Sequence, residues 1–285
     1  MDDEQLVAIV GAGVMGTGIS TLVVGHGLPV VLVDVDEGVL DRAAAASANG
    51  LRHAQLTGAL PAGTTPAKLR TTLSLSDVAD ATVVIEAVTE LPENKADVLA
   101  GVSALVRPGT PLISNTSGIP IDEMAAWVKC PGDLIGTHFM NPAYLISMVE
   151  VIRGPQTADE TVESVLSLLT RIGRRGVVVR DAPGFVTSRL LHPMINDAAR
   201  VVGAGTATVE DVDTLMQGCL GHPTGPLRTA DLIGIDNLVD ALEALYARTA
   251  DERCRPSELL LEKVRRGELG RKSGRGFYNY SEAQS

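Results

Sequence analysis

The sequence predicts an α/β protein: a doubly wound, mostly parallel sheet in the first part of the chain and an all-helical domain after it. Three observations carry this prediction. Short apolar runs of strand length alternate with helix-length segments over the first 180 residues or so. The strand-like runs then stop at Asp181-Ala182-Pro183-Gly184, and only helix-length segments follow. The chain also has 285 residues, enough for two cores rather than one. The predicted domains are residues 1–182 and 183–285.

The first element is residues 6–10 (LVAIV), an apolar run long enough for a buried strand and too short for a helix. Gly11, Gly13 and Gly16 follow in the G-x-G-x-x-G spacing of a dinucleotide-binding turn, with Val14 and Met15 between them. Gly11 allows the tight turn, Gly13 lets backbone N–H groups approach a pyrophosphate, and Gly16 lets the next helix pack closely. That helix, through residues 19–24, would point its positive N-terminal end at the phosphates. Residues 29–33 (PVVLV) read as a second buried strand, with Asp34 at its end. An acid about 20 residues beyond the turn accepts hydrogen bonds from ribose hydroxyls and repels a 2′-phosphate. The reading is a Rossmann-type domain taking NAD rather than NADP, with Gly11, Gly13, Val14, Met15, Gly16 and Asp34 as cofactor-binding candidates.

Next comes an alanine-rich helix over residues 39–59, expected to break at Asn49-Gly50, then a loop at 61–66 and a strand at 69–75. Residues 82–87 (TVVIEA) form a buried strand, 94–106 a helix ended by Pro108-Gly109, and 111–114 a short strand before the polar turn Asn115-Thr116-Ser117-Gly118. Strands follow at 134–139 (LIGTHF) and 148–152 (MVEVI), then an amphipathic helix at 161–172 and a last strand at 176–179. The second domain carries helix-length segments at 185–202, 209–220 and 238–250.

Composition narrows the function. Lys+Arg total 24 against 35 Asp+Glu, a net charge of −11, which argues against nucleic acid or an anionic membrane as partner. The three cysteines are scattered without C-x-x-C spacing, so neither a disulfide framework nor a metal site is expected. The acidic start MDDEQ has no leader character, and no apolar run nears the ~20 residues of a membrane span, so a cytoplasmic protein is expected. His138 ends the LIGTHF strand, at the sheet edge that carries the glycine turn. Hydride removal from a secondary alcohol needs a base for the hydroxyl proton, and imidazole suits that task. Glu150, on the following strand, would orient the ring and stabilise the imidazolium.

The motifs VAIVGAGVMG, VIEAVTE, ISNTSGIPI, HFMNPA, VEVIRG, PGFVTSRLL, GHPTGPL, DLIGIDN and GRKSGRGFYNY together resemble the 3-hydroxyacyl-CoA dehydrogenase family, including 3-hydroxybutyryl-CoA dehydrogenases, over essentially the whole chain. The resemblance implies NAD-linked interconversion of a 3-hydroxyacyl thioester and its 3-oxoacyl form, as in fatty acid metabolism, by a homodimer. It places His138 as the base, Glu150 as its partner and Ser117 as the serine that hydrogen-bonds substrate. Glu90, Lys95 and Asn141 match cofactor-contacting positions, and Lys272 matches a lysine that reaches back to the cofactor. In PGFVTSR the family usually has asparagine where this chain has Ser188, a residue that positions the substrate carbonyl. Serine is shorter, which implies an unusual acyl group. The helix after Asp34 carries Arg42, Arg52 and His53 but no lysine, and Ser147 replaces another usual lysine, which weakens the expected CoA contacts. One alternative is therefore the same chemistry on an acyl-carrier-protein thioester in polyketide extender-unit biosynthesis. The carrier would dock on Arg171, Arg174 and Arg175 or on Arg265, Arg266, Arg271, Lys272 and Arg275. A second alternative is a free sugar acid as substrate, and a third a non-catalytic, crystallin-like NAD-binding protein.

Overall fold

A computed structural model describes residues 5–61 and 63–281. The chain divides into two compact units, Met1–Ala182 and Pro183–Ser285.

In the first unit the central apolar runs form strands because their β-branched side chains are buried on both faces, as a sheet covered by helices requires, while the edge strands at 69–72 and 175–180 are largely exposed. The strands are β1 (Val7–Val10), β2 (Val30–Val33), β3 (Leu69–Thr72), β4 (Val83–Glu86), β5 (Leu112–Asn115), β6 (Leu134–His138), β7 (Met148–Arg153) and β8 (Arg175–Arg180). They make one eight-stranded sheet in the order β3-β2-β1-β4-β5-β6-β7-β8. Every neighbouring pair is parallel except β6 and β7, which are antiparallel. The crossover direction reverses between β1 and β4, the switch point at whose carboxyl edge open α/β sheets bind ligands. The covering helices are α1 (Val14–Gly25), α2 (Glu37–Leu56), α3 (Pro92–Leu105), the one-turn α4 (Ile121–Met124) and α5 (Asp159–Arg171). Val7, Ile9, Leu22, Leu32, Ile85, Ile113 and Val151 are among the residues closing the core.

Two expectations need correction here. The helix after Asp34 does not break at Asn49-Gly50; α2 runs through both residues. Gly50 is kept small by packing, since a Cβ there would lie 3.0 Å from the Thr21 methyl and 3.6 Å from the Tyr144 ring. The strand expected over 69–75 ends at Thr72, after which residues 75–78 wind into a short 3-10 turn.

The second unit is helical: α6 (Thr187–Gly203), α7 (Val209–Leu220), α8 (Pro226–Ile233), α9 (Ile235–Thr249) and α10 (Glu258–Arg265). Its own core gathers Ile195, Leu227, Ile235, Leu238, Leu242 and Leu260. Two buried carboxylates explain the GHPTGPL, DLIG and GFYNY motifs. Asp213 accepts from the N–H groups of Leu227 and Arg228 (both 2.9 Å) and from the Tyr278 hydroxyl (2.8 Å). Asp231 accepts from Phe277 and Tyr278 N–H (2.8 and 2.9 Å) and from the Tyr280 hydroxyl (3.1 Å). Gly225 and Gly276 exist so that these carboxylates fit, because a Cβ at either would fall about 2 Å from Asp213 or Asp231 atoms. Burial, then Asp231 itself, pushes the Tyr280 phenol up to about 12. The C-terminal tail is thus tied to α7 and α8 by buried polar anchors. Among the described residues no helix is long and apolar enough to cross a membrane.

Candidate active site

The glycine turn sits at the switch point, and its three glycines have three different causes. Gly11 has φ +102°, and a Cβ there would lie 2.6 Å from the Ala87 carbonyl oxygen at the end of β4. Gly16 passes so close to the turn that a Cβ would fall 1.8 Å from the Gly11 carbonyl oxygen. Gly13 is not forced by its own backbone, which has φ −66° and ψ −167°. A Cβ there would meet no atom within 4 Å. What a side chain at Gly13 would fill is open space at the N-terminus of α1, the position where a pyrophosphate needs close backbone approach. Beside it, Asp34 Oδ2 accepts from Ala12 N–H (2.7 Å) and Oδ1 from Asp36 N–H (3.2 Å). This fixes a carboxylate at the carboxyl end of β2, suited to ribose hydroxyls. Val14 and Met15 open α1, with Met15 packed on the core. A cleft of about 750 Å³ runs from the turn between α1 and α2 and is lined by Gly13, Val14, Arg42, His53, Asn141 and Tyr144, among others. It has the size of a small-molecule site; the turn from which it runs, with Asp34 bonded to Ala12 N–H, fits the pyrophosphate and ribose of a dinucleotide.

The second feature is a histidine–carboxylate pair. The antiparallel register of β6 and β7 sets His138 opposite Glu150. His138 Nδ1 lies 2.9 Å from Glu150 Oε2, with the side chains 12% and 9% exposed. A carboxylate so buried is costly without a partner, and the imidazole supplies one. With Nδ1 committed to Glu150, the ring plane is fixed and the opposite ring nitrogen is the one presented for chemistry.

The third is the Ser117 turn. Glu90 Oε1 accepts from Ser117 N–H (2.8 Å), from Gly118 N–H (3.3 Å) and from the Thr116 hydroxyl, so one carboxylate organises the turn. Glu90 is itself held by Lys95 at 3.1 Å. Lys95 is 0% exposed and also meets both oxygens of Glu86 (2.8 and 2.9 Å) and the Asn115 carbonyl (3.1 Å). The Asn115 side-chain oxygen in turn accepts from Phe139 N–H at 3.2 Å, next to His138. Burial pushes the Glu86 carboxyl up, by more than Lys95 and Ser114 pull it back. At Glu90 burial acts in the same direction, but Lys95, the Thr116 hydroxyl and Ser117 N–H outweigh it and hold the carboxyl below its ordinary range. Lys95, which the resemblance matches to a cofactor-contacting position, has its ammonium turned inward. Its ammonium is spent on two carboxylates and a carbonyl, and it reaches the site surface only through Glu90 and Asn115.

The structure thus places Gly13, Val14 and Asn141 along the cleft, ties Asp34 to the turn through Ala12 N–H, pairs His138 with Glu150, and ties Ser117 to Glu90. Ser188, buried in the first turn of α6, and Lys272, paired with Asp236 at 2.6 Å, belong to the second unit. Glu86, Asn115 and Tyr144 were not singled out from sequence. The first two stand at strand ends beside motif residues, which is the signal that marks them. The proposed basic docking faces are also corrected. Arg174 is buried, so it is no part of an exposed face. In the tail, Arg265, Arg266, Lys272 and Arg275 pair with Glu258, Glu262, Asp236 and Glu268.

Comparison with known proteins agrees with this geometry. Residues 6–182 match the model of the 3-hydroxyacyl-CoA dehydrogenase NAD binding domain, and residues 184–280 match that family's C-terminal domain. The chain is similar to a probable 3-hydroxybutyryl-CoA dehydrogenase of Deinococcus radiodurans, at 40% identity over 95% of this chain and 99% of that protein. One from Bacillus subtilis is 38% identical over the full length of both chains. The crystal structure of (S)-3-hydroxybutyryl-CoA dehydrogenase from Ralstonia eutropha has a TM-score of 0.89 at 38% identity, covering 98% of this chain and all of that one.

Proposed function

The chain belongs to the 3-hydroxyacyl-CoA dehydrogenase family, and from that premise we propose that it interconverts a short 3-hydroxyacyl-CoA and the 3-oxoacyl-CoA. The observation that carries the proposal is the His138–Glu150 pair on the same sheet edge as the open glycine turn. When bound, NAD supplies the acceptor for the hydride that leaves the hydroxyl-bearing carbon. His138 takes the hydroxyl proton on the nitrogen opposite Glu150. Glu150 holds the other nitrogen's N–H and stabilises the imidazolium, so the ring neither rotates nor changes tautomer during transfer. The Ser117 hydroxyl, set by Glu90, donates to the substrate oxygen as charge develops on it. The backbone N–H groups of the turn around Gly13 and the N-terminus of α1 face the phosphates, and Asp34 takes the ribose.

CoA as the acyl carrier is supported by Arg42 and His53 in the cleft wall and by the names of the relatives. The carrier-protein alternative has no such support from the relatives, and of its basic residues Arg174 is buried and Arg265, Arg266, Lys272 and Arg275 are ion-paired, with Arg171, Arg175 and Arg271 exposed. The discriminating experiment follows NADH oxidation with acetoacetyl-CoA beside the same acyl group on an acyl carrier protein. Turnover of the CoA thioester and little of the carrier thioester is the expected result. Turnover of the carrier form alone would overturn the CoA assignment. NADH binding without turnover of either would overturn the proposed reaction.

A further inference from the structure

Glu86 is a charged side chain that the chemistry above does not use. It is the last residue of β4 and is 1% exposed. Its Oε1 accepts from Val88 N–H (2.8 Å) and the Lys95 ammonium (2.8 Å), and its Oε2 from the same ammonium (2.9 Å) and the Ser114 hydroxyl (2.5 Å). A carboxylate buried with a lysine is a costly device, and apolar side chains of similar volume often stabilise a core as well or better. Stability alone therefore gives no reason for the pair, whereas its place in the sheet does. The strand register sets Glu86 between Val10, which precedes the glycine turn, and Ser114, which precedes Asn115-Thr116-Ser117. Its bond to Val88 N–H fixes residues 86–88 against Gly11, whose Cβ would lie 2.8 Å from Val88 N. The two carboxylates that meet Lys95 are used differently. Glu86 turns both oxygens to the ammonium, whereas Glu90, with a side chain 37% exposed, gives it only Oε2 (3.1 Å). Glu90 Oε1 is left for the N–H groups of Ser117 (2.8 Å) and Gly118 (3.3 Å). That division is possible because Glu86 and the Asn115 carbonyl (3.1 Å) already occupy the ammonium.

We propose that Glu86 is a positioning residue for Ser117: by holding the Lys95 ammonium, it leaves Glu90 with one oxygen for Lys95 and the other for the Ser117 turn. This rests on the reading of Ser117 as the residue that hydrogen-bonds the substrate oxygen. Without the Glu86 charge, Glu90 is the remaining counter-ion of a buried ammonium, and the attraction draws its carboxylate away from the turn. Ser117 N–H and Gly118 N–H then lose their acceptor, and the Ser117 hydroxyl loses its fixed position.

The test compares Glu86→Gln, Glu86→Asp, Ser117→Ala and the double variant Glu86→Gln/Ser117→Ala in the full chain. The first readout is amide hydrogen exchange in the cofactor-free protein, which does not depend on which thioester is the substrate. In Glu86→Gln the amides of Ser117 and Gly118 are expected to exchange faster than in the wild type, while those of β1 and β2 keep the wild-type rates. The second readout is kcat for acetoacetyl-CoA reduction, expected to fall by about ten- to hundredfold, the cost of a hydroxyl misplaced by an ångström or so. In the double variant kcat is expected to equal that of Ser117→Ala, because a residue that acts through another adds no loss once that other is gone. Glu86→Asp keeps the charge and loses reach, so its exchange and kcat are expected to fall between Glu86→Gln and the wild type. A merely structural glutamate would lower the melting temperature, and its loss in kcat would multiply with that of Ser117→Ala; that pattern overturns the proposal. So does a folded Glu86→Gln whose Ser117 and Gly118 amides exchange as in the wild type. If Glu86→Gln does not fold, Glu86→Asp decides alone: faster exchange at Ser117 and Gly118 with lowered kcat supports the proposal, and wild-type values of both overturn it. A wild-type protein that leaves acetoacetyl-CoA unreduced overturns the reading of Ser117 instead, and the exchange readout still decides whether Glu86 sets the turn.

Discussion

His138→Gln is expected to lower kcat by about 10²–10⁴-fold while NADH affinity stays at the wild-type value. The range is what a positioned proton-transfer group contributes, and the separation from binding follows from the geometry. His138 sits at the end of β6 with its Nδ1 turned to Glu150, 2.9 Å away, whereas the pyrophosphate and ribose candidates stand on the glycine turn and just after β2. Glutamine is close in size and its amide N–H can still face Glu150, so the buried carboxylate keeps a donor and the β6–β7 pairing is preserved. What is lost is a group that can accept the hydroxyl proton. Glu150→Gln is expected to be milder in kcat, because the imidazole remains and only its orientation and the stabilisation of its cation are lost. Stopped-flow turnover beside NADH fluorescence titration separates the two effects. A parallel loss of NADH affinity in His138→Gln would mean that the histidine is a cofactor ligand and not the base.

Gly13→Val is expected to leave the protein folded and to weaken NADH binding by roughly a hundredfold or more. The glycine's backbone angles suit any residue, and a Cβ at this position meets no protein atom within 4 Å. Folding therefore has little reason to resist the change. A bound pyrophosphate does, since an isopropyl group there holds the phosphates away from the N–H groups of the turn. Losing two charge-assisted hydrogen bonds at roughly 1.5–3 kcal/mol each corresponds to roughly a hundredfold or more in affinity. Gly16→Ala is the contrasting control. Its Cβ would fall 1.8 Å from the Gly11 carbonyl oxygen, so the turn itself must move and the melting temperature is expected to drop along with binding. If Gly13→Val bound NADH as the wild type does, the open space at the turn would not be the phosphate site.

The contrast between these two glycines also shows what sequence reading reaches. The spacing of Gly11, Gly13 and Gly16, the strand-like run before them and Asp34 after β2 are local signals, so the nucleotide turn is legible without coordinates. His138 is legible for a similar reason, because a strand's carboxyl end in a parallel sheet has a known destiny. Lys95 is the opposite case. In sequence it is a helix residue with polar neighbours, and its burial depends on Glu86 and Asn115, which arrive from the ends of two other strands. No local pattern encodes that meeting. The Arg174 guanidinium and the Ala143 and Tyr144 carbonyls that accept from it are likewise 31 and 30 residues apart in sequence and meet because β8, which follows Arg174, pairs with β7. The continuous α2 departs from expectation for a packing reason: Gly50 reads as a helix breaker, yet Thr21 and Tyr144 lie where a Cβ would project. The short helices α8 and α10 escape notice because eight residues bounded by Gly and Pro carry little periodicity.

The most direct test of hydride transfer at this site uses NADH deuterated at both transferable positions, with acetoacetyl-CoA as acceptor and mass spectrometry of the acyl product. The site described here predicts one deuterium on the hydroxyl-bearing carbon of the product from the wild-type protein, and at most trace product from His138→Gln at the same NADH occupancy. Bound NADH that leaves acetoacetyl-CoA unreduced, or product formed equally well without His138, would contradict it.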